Sequence, residues 1–316
     1  MEEWRNLIEN VTKQVGQVIL GKEQEIREIM LAFLANGHVL LEDIPGVGKT
    51  TLALAFSKSM QLDYKRIQFT PDVLPSDLTG FSIYRREEER FVYQEGSVFC
   101  NLLLADEINR TSPKTQSALL EVMEERRVTV EGVTRPVPEP FLVIATQNPQ
   151  GSAGTQLLPE AQVDRFMVSL SVGYPDYDSE LAMVLGVREK SRVEDVVSVL
   201  QGDTLRDIQN AVDQVYLKEN VGDYIVRLVR ATREHPELSC GGSPRASIAL
   251  VRMSRAAAFL NGRDYVIHSD VEEQFPYIIR HRITLDSAAR MNGRTKDAVI
   301  GEILQQTKRP SMGMRR

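Results

Sequence analysis

The chain has 316 residues, 42% of them apolar and 26% charged, close to soluble globular proteins and far from fibrous, disordered or membrane-type compositions. Its 38 basic and 44 acidic residues leave a net charge of −6, so no strongly basic domain invites broad nucleic-acid binding. At roughly 150 residues per domain, the length suggests about two domains.

Between Trp4 and Ala35 the apolar residues Leu7, Val11, Val15 and Val18, then Ile26, Met30 and Leu34, recur at helical spacing on either side of a break at Gly21. The run 38–41 predicts a strand, which leads through a glycine-containing loop into a helix over 51–60. Residues 81–84 and 91–93 alternate around a charged tip and predict a hairpin; 127–130 and 133–135 flank Glu131-Gly132 and predict another. The apolar run 102–105 stops at Asp106-Glu107, 114–125 is helical, and the run 141–146 stops at Gln147-Asn148. Apolar runs alternating with helices imply an α/β domain with a parallel sheet, whose functional residues gather at the strands' carboxyl ends. Beyond Tyr174-Pro175-Asp176 the pattern is helical over 180–189, 204–216, 223–234 and 245–260, with one more helix near 295–306. The expected division is an α/β core over 1–175, a smaller all-helical domain over 176–285, and a C-terminal helix with a mobile basic tail over 286–316.

No apolar stretch approaches the roughly 18 residues of a membrane span, and 1–10 is acidic where a secretory leader would be basic and then apolar. Cys100 and Cys240 are far apart, and His38, His235, His268 and His281 form no metal-type pattern. These features point to a cytoplasmic protein with buried thiols and no zinc site.

Residues 43–50 match the phosphate-loop pattern at Gly48-Lys49-Thr50, with Asp43 where the first glycine is usual. Gly46 and Gly48 allow the backbone to curl so that successive N–H groups point at phosphate oxygens. Lys49 then reaches the β- and γ-phosphates, and the Thr50 hydroxyl is a Mg²⁺ ligand. Asp106, at a strand end, suits the metal's water shell, and Glu107 beside it can polarise an attacking water, which favours hydrolysis. Asn148 can hydrogen-bond that water or the γ-phosphate. Taken singly these are also a strand-to-helix turn, a solvated turn or cap, and a turn asparagine; together they fit a nucleoside-triphosphate site.

The segments 41–50, 104–110 and 145–149, continued in Leu158-Pro159-Glu160-Ala161-Gln162-Val163-Asp164-Arg165-Phe166, Gly242-Ser243-Pro244-Arg245-Ala246 and Gly262-Arg263-Asp264-Tyr265, resemble the MoxR family of AAA+ ATPases over about residues 10 to 285. Asp43 is typical of that family, whereas Ser97 after Gly96 stands where relatives usually carry proline. The resemblance implies Walker A contacts to ATP by Gly46, Val47, Gly48, Lys49, Thr50 and Thr51, a Mg²⁺ site at Thr50 and Asp106, Walker B at Asp106-Glu107, and sensor 1 at Asn148. Ile19 lies in the segment 18–21, which resembles the family's adenine-contacting stretch and also reads as an apolar turn between helices.

By the same resemblance Arg245 is sensor 2 in the helical lid and Arg165 is the arginine finger that reaches a neighbour's nucleotide. A surface pair with Asp164 is the plain alternative for Arg165, with Arg110 and Arg126 as other finger candidates; for Arg245 it is a helix-start salt bridge. A finger acting in trans implies a closed homo-oligomer, a hexameric ring. The family further implies a chaperone-like role on client proteins, including metal or cofactor insertion, beside a partner with a von Willebrand factor A domain. The two hairpins resemble the helix-2 insert and pre-sensor-1 hairpin that line the ring's opening. No nucleic-acid partner or membrane insertion is expected; the rivals are a nucleic-acid-remodelling motor and a nucleotide-gated scaffold with little turnover.

Overall fold

The computed structural model describes residues 2–42, 46–148, 158–184 and 193–310. The opening amphipathic pattern folds as α1 (Glu2–Val18) and α2 (Glu23–Leu34), parted at Gly21, where φ is +68°. Next come β1 (Val39–Glu42), α3 (Lys49–Ser59), β2 (Tyr64–Gln68), α4 (Pro75–Thr79), β3 (Phe81–Arg85), β4 (Arg90–Gln94) and β5 (Leu102–Asp106). They are followed by α5 (Pro113–Glu125), β6 (Arg127–Val130), β7 (Val133–Pro136), β8 (Leu142–Gln147), α6 (Glu160–Val163) and β9 (Val168–Leu170). The remainder is α7 (Tyr177–Val184), α8 (Gly202–Asp213), α9 (Glu219–Glu234), β10 (Leu238–Cys240), α10 (Pro244–Leu260), α11 (His268–Ile279), β11 (Thr284–Leu285), α12 (Ser287–Met291) and α13 (Lys296–Gln306).

Five strands form one parallel sheet in the order β2-β5-β8-β1-β9. Every residue of β5 and β8 is buried, because each strand is paired on both edges and covered on both faces. Successive side chains then enter opposite cores: Leu41, Leu102, Leu104, Leu142 and Ile144 face one, and Leu40, Leu103, Ala105, Val143 and Ala145 the other. The carboxyl ends of β5, β8 and β1 lie side by side, so the segments that follow them meet in space.

The first core runs without interruption into the helical half through Leu228, Leu250, Met253 and Phe275, and α2 packs against α8 and α10. Burying each such side chain contributes roughly 1.5–3 kcal/mol, so sheet and helices are stabilised by shared apolar area. α13 packs on α9 and α11. The hairpins β3–β4 and β6–β7 form as expected; Glu131 and Gly132 both have positive φ, as a tight hairpin turn of the I′ type requires.

Several elements go beyond the expected ones: β2, β9, the β10–β11 pair and α11. The helix expected over 180–189 is α7, Tyr177–Val184, and the rest of that span lies outside the described residues, as do Asp43 and 311–316 of the basic tail. Arg309, nearer in the tail, ion-pairs with Glu272 of α11. Among the described residues no helix is long and apolar enough to cross a membrane.

Candidate nucleotide site and arginine cluster

The loop between β1 and α3 turns through Gly46 at φ +91° and Gly48 at φ +86°, left-handed backbone that side chains disfavour. Among the described residues a Cβ on Gly46 would meet no atom within 4 Å, and one on Gly48 would meet only Ile19 Cδ1 at 3.7 Å, so backbone conformation calls for glycine. The same contact places Ile19 against the loop, while Val47 packs on the apolar core. The curl ends at the first turn of α3, whose amides and dipole favour an anion.

A cavity of about 440 Å³ collects Gly46, Gly48, Lys49, Thr50 and Thr51 from this loop with Asp106, Glu107 and Asn148 from the ends of β5 and β8. Thr146 of β8 sets the two carboxylates: its hydroxyl donates to Asp106 Oδ1 at 2.7 Å and accepts the Glu107 N–H at 2.8 Å. Glu107 has φ +56°, a conformation that costs a residue other than glycine about 1–2 kcal/mol. Its Oε2 accepts from Gln68 Nε2 and from Arg110 Nη1, each at 2.7 Å. Arg66 Nη2 donates to Asp106 Oδ2 at 2.7 Å and to Gln68 Oε1 at 2.9 Å.

Arg66 and Gln68 are site residues that the motifs do not reveal. They alternate along one face of β2, in register with Leu104 and Asp106 of β5. The available signal was topological: a phosphate-loop helix in a parallel sheet must lead back into a strand, and Tyr64, Ile67 and Phe69 are the apolar residues in reach. Thr50 and Asp106 bring a hydroxyl and a carboxylate to the cavity, the hard oxygen donors that Mg²⁺ takes, so the residues fit that cation.

Arg165 and Arg245 lie elsewhere. Arg165 follows α6, Arg245 begins α10, and both meet Glu124 near the end of α5, at 3.3 Å on Oε2 and 2.6 Å on Oε1. They line a second cavity of about 450 Å³ with Arg126, Arg252 and Arg282, five arginines against Glu124 and Asp164, and this cavity shares no lining residue with the first. Asp164, the plain partner for Arg165, is instead paired with Arg282 at 2.8 Å. Of the other finger candidates, Arg110 is paired with Glu107 at the nucleotide cavity. Arg126 donates to the carbonyls of Asn36 and Phe141, and burial pulls its guanidinium down to about 10.

The two hairpins touch: Ser82 Oγ donates to Glu131 Oε2 at 2.6 Å, and the Arg135 guanidinium lies 3.7 Å from the Tyr93 ring centre. Phe81, Tyr84 and Phe91 are exposed on β3–β4. Elsewhere His235, Glu237 and Glu302 converge, a grouping not visible in the sequence, but Arg294 already bridges the two carboxylates as their cation.

That strand order, with the loop, the carboxylate pair and the asparagine on three adjacent strand ends and a helical lid behind them, is the architecture of an AAA+ protein. Residues 38–168 match the family model of the ATPase family associated with various cellular activities (AAA), and residues 230–303 match the AAA lid domain. The chain is 40% identical to Chaperone MoxR1 of Mycobacterium tuberculosis, over 96% of this chain and 83% of that protein. It is 46% identical to the uncharacterized protein YeaC of Bacillus subtilis, over 98% and 97% of the two chains. A crystal structure of a protein from Cytophaga hutchinsonii superposes with a TM-score of 0.89 at 40% identity, covering 98% of this chain and 96% of that one. This chain belongs to the MoxR family of AAA+ ATPases.

Proposed function

We propose that the protein is a Mg²⁺-dependent ATPase that hydrolyses ATP to ADP and phosphate in a hexameric ring whose sites are shared between neighbours. The carrying observation is the separation of two half-sites. Lys49, Thr50, Asp106, Glu107 and Asn148 line one cavity, and Arg165 and Arg245 line another that is rich in arginine. A guanidinium acts on developing phosphate charge only at contact range, so a completed site needs the arginine face of a second copy. Because one face meets a different face, the contact is heterologous, and a rotation that closes makes a ring. On this reading sensor 2, Arg245, acts in trans beside the finger Arg165.

Within one half-site, Lys49 neutralises the β- and γ-phosphates, Glu107 polarises the attacking water, and Asn148 orients it. Mg²⁺, held by Thr50 and Asp106, would neutralise charge on the β- and γ-phosphates. The division into core 1–175, lid 176–285 and tail 286–316 belongs to the same reading.

The ring acts as a cytoplasmic chaperone that remodels, matures or activates clients, metal or cofactor insertion included, with a von Willebrand factor A domain partner and without nucleic acid or membrane insertion. The name of Chaperone MoxR1 supports the chaperone part. The exposed Phe81, Tyr84 and Phe91 on the paired hairpins supply apolar surface for a client. The test is turnover and mass by light scattering with ATP. Lys49→Ala is expected to abolish turnover, and ATP to favour the ring. A chain that remains monomeric at full turnover contradicts the proposal.

A further inference from the structure

The arginine cluster is anchored by a residue outside every motif discussed above. Arg282 sits in a 3-10 turn, Arg280–Arg282, with its side chain 3% exposed, and all five guanidinium N–H donors are engaged. Nε donates to Asp164 Oδ1 at 2.8 Å. Nη1 donates to the carbonyls of Met167 at 3.2 Å and Ile278 at 2.5 Å, and Nη2 to those of Asp164 at 3.1 Å and Phe166 at 2.5 Å. Four of these acceptors lie within 164–167, the segment that carries Arg165. The ring of His281 adds Nε2 at 3.2 Å from the Phe166 carbonyl.

The network continues to the other arginine. Asp164 Oδ2 accepts from the Ser243 hydroxyl at 2.7 Å, and that hydroxyl accepts the backbone N–H of Arg245 at 3.1 Å as the cap of α10. One buried guanidinium is thus connected through one carboxylate to the backbone of both arginines, whose side chains meet again on Glu124. The connection crosses from the sheet half, which contributes Asp164 and Arg165, to the helical half, which contributes Ser243, Arg245 and Arg282.

We propose that Arg282 is the positioning residue of the shared site, clamping 164–166 to Ser243 so that Arg165 and Arg245 meet the neighbour's nucleotide as one rigid pair. The inference rests on the reading that Arg165 acts in trans. Only arginine offers five donors in a fixed planar fork; lysine has three on a flexible stem and cannot reproduce the set. Burial lowers the guanidinium to about 10 while Asp164 opposes it, so the clamp remains charged at neutral pH. A misplacement of about 1 Å at a reacting group can cost on the order of 100-fold in rate, so a clamp remote from the nucleotide can govern turnover.

The test uses the full chain with Arg282→Gln, Arg282→Lys and Ser243→Ala, measuring turnover against ATP concentration and ATP affinity by equilibrium dialysis. Arg282→Gln is expected to lower kcat on the order of 10- to 100-fold at unchanged ATP affinity, with Arg282→Lys between it and the parent. Arg165→Ala/Arg282→Gln should lose less than the product of the two single losses, because only Arg245 then remains to be positioned. Mixing Arg282→Gln with Lys49→Ala should restore turnover, because the first retains its nucleotide half-site and the second its arginines.

Loss of ATP affinity in Arg282→Gln, silence in that mixture, or additive losses in the double variant would overturn the clamp. If Arg282→Gln does not fold, Ser243→Ala decides: a lower kcat restored in the mixture supports the clamp, and an unchanged kcat rejects it. Slow Arg165→Ala beside wild-type turnover in Arg282→Gln rejects the clamp alone. Wild-type turnover in Arg165→Ala removes the shared-site reading itself.

Discussion

Glu107 is held at several points in the nucleotide cavity. Its backbone is left-handed, its N–H is fixed by Thr146, and its Oε2 accepts from Gln68 and Arg110. Glu107→Gln keeps the shape and removes the carboxylate proposed as the base, so turnover should fall by roughly 10²- to 10⁴-fold with ATP affinity retained. Rapid hydrolysis by that variant would move the base elsewhere. Lys49, Thr50, Asp106 and Glu107 were legible because their chemistry is local, a motif within a few residues beside an apolar run. Arg66 and Gln68 were not: β2 is an edge strand with partly exposed residues and no apolar run, and their neighbours Asp106 and Glu107 are brought in by strand pairing.

Glycines separate two kinds of demand at the scale of elements. A Cβ on Gly96 would lie 2.1 Å from the Leu78 carbonyl oxygen and 2.6 Å from the Gly80 nitrogen, which are backbone atoms at the base of the β3–β4 hairpin. Gly96→Ala should therefore destabilise by about 1–3 kcal/mol, read as a lower midpoint in thermal unfolding. Gly132, at φ +77° with no atom of the described residues within 4 Å of a Cβ, should lose only about 1 kcal/mol on the same change, and equal losses would refute the distinction.

In α2, Glu28 is fully buried; Oε1 accepts from Gln24 at 2.9 Å, and Oε2 has no hydrogen-bond partner among the described residues. Burial pushes its carboxyl up from 4.5 to about 7, with Arg27 opposing and Glu273 adding to the rise. Because the folded group holds its proton more tightly than the unfolded one, its stabilising effect is full below about pH 4.5 and is lost as pH rises to about 7, on the order of 3 kcal/mol. Urea unfolding should show Glu28→Gln free of that decline; a parallel decline in the variant would clear Glu28. The hairpins were legible from alternation and turn residues, whereas α11 was hidden by Pro276 inside it and by buried Asp270 and Gln274 among its apolar positions.

Over the whole molecule, a chain of net charge −6 gathers five arginines into one cavity, separate from the cavity lined by the glycine-containing loop after β1. Sequence order could suggest both halves of the proposed site but not their separation, because Glu124, Asp164, Arg245 and Arg282 meet only through packing of the helical half on the sheet half. If each site needs a neighbour, turnover per subunit should rise with protein concentration until the ring is complete; strict proportionality of rate to protein at every dilution would speak against sharing.

The most direct measurement mixes Arg165→Ala with Lys49→Ala and follows ATP turnover. Neither protein alone should hydrolyse at an appreciable rate. Mixed rings should, because wherever an Arg165→Ala subunit binds ATP beside a Lys49→Ala subunit, one supplies the lysine and the other the arginine. Full activity of Arg165→Ala by itself, or a mixture as inactive as its parts, would contradict the shared-site account.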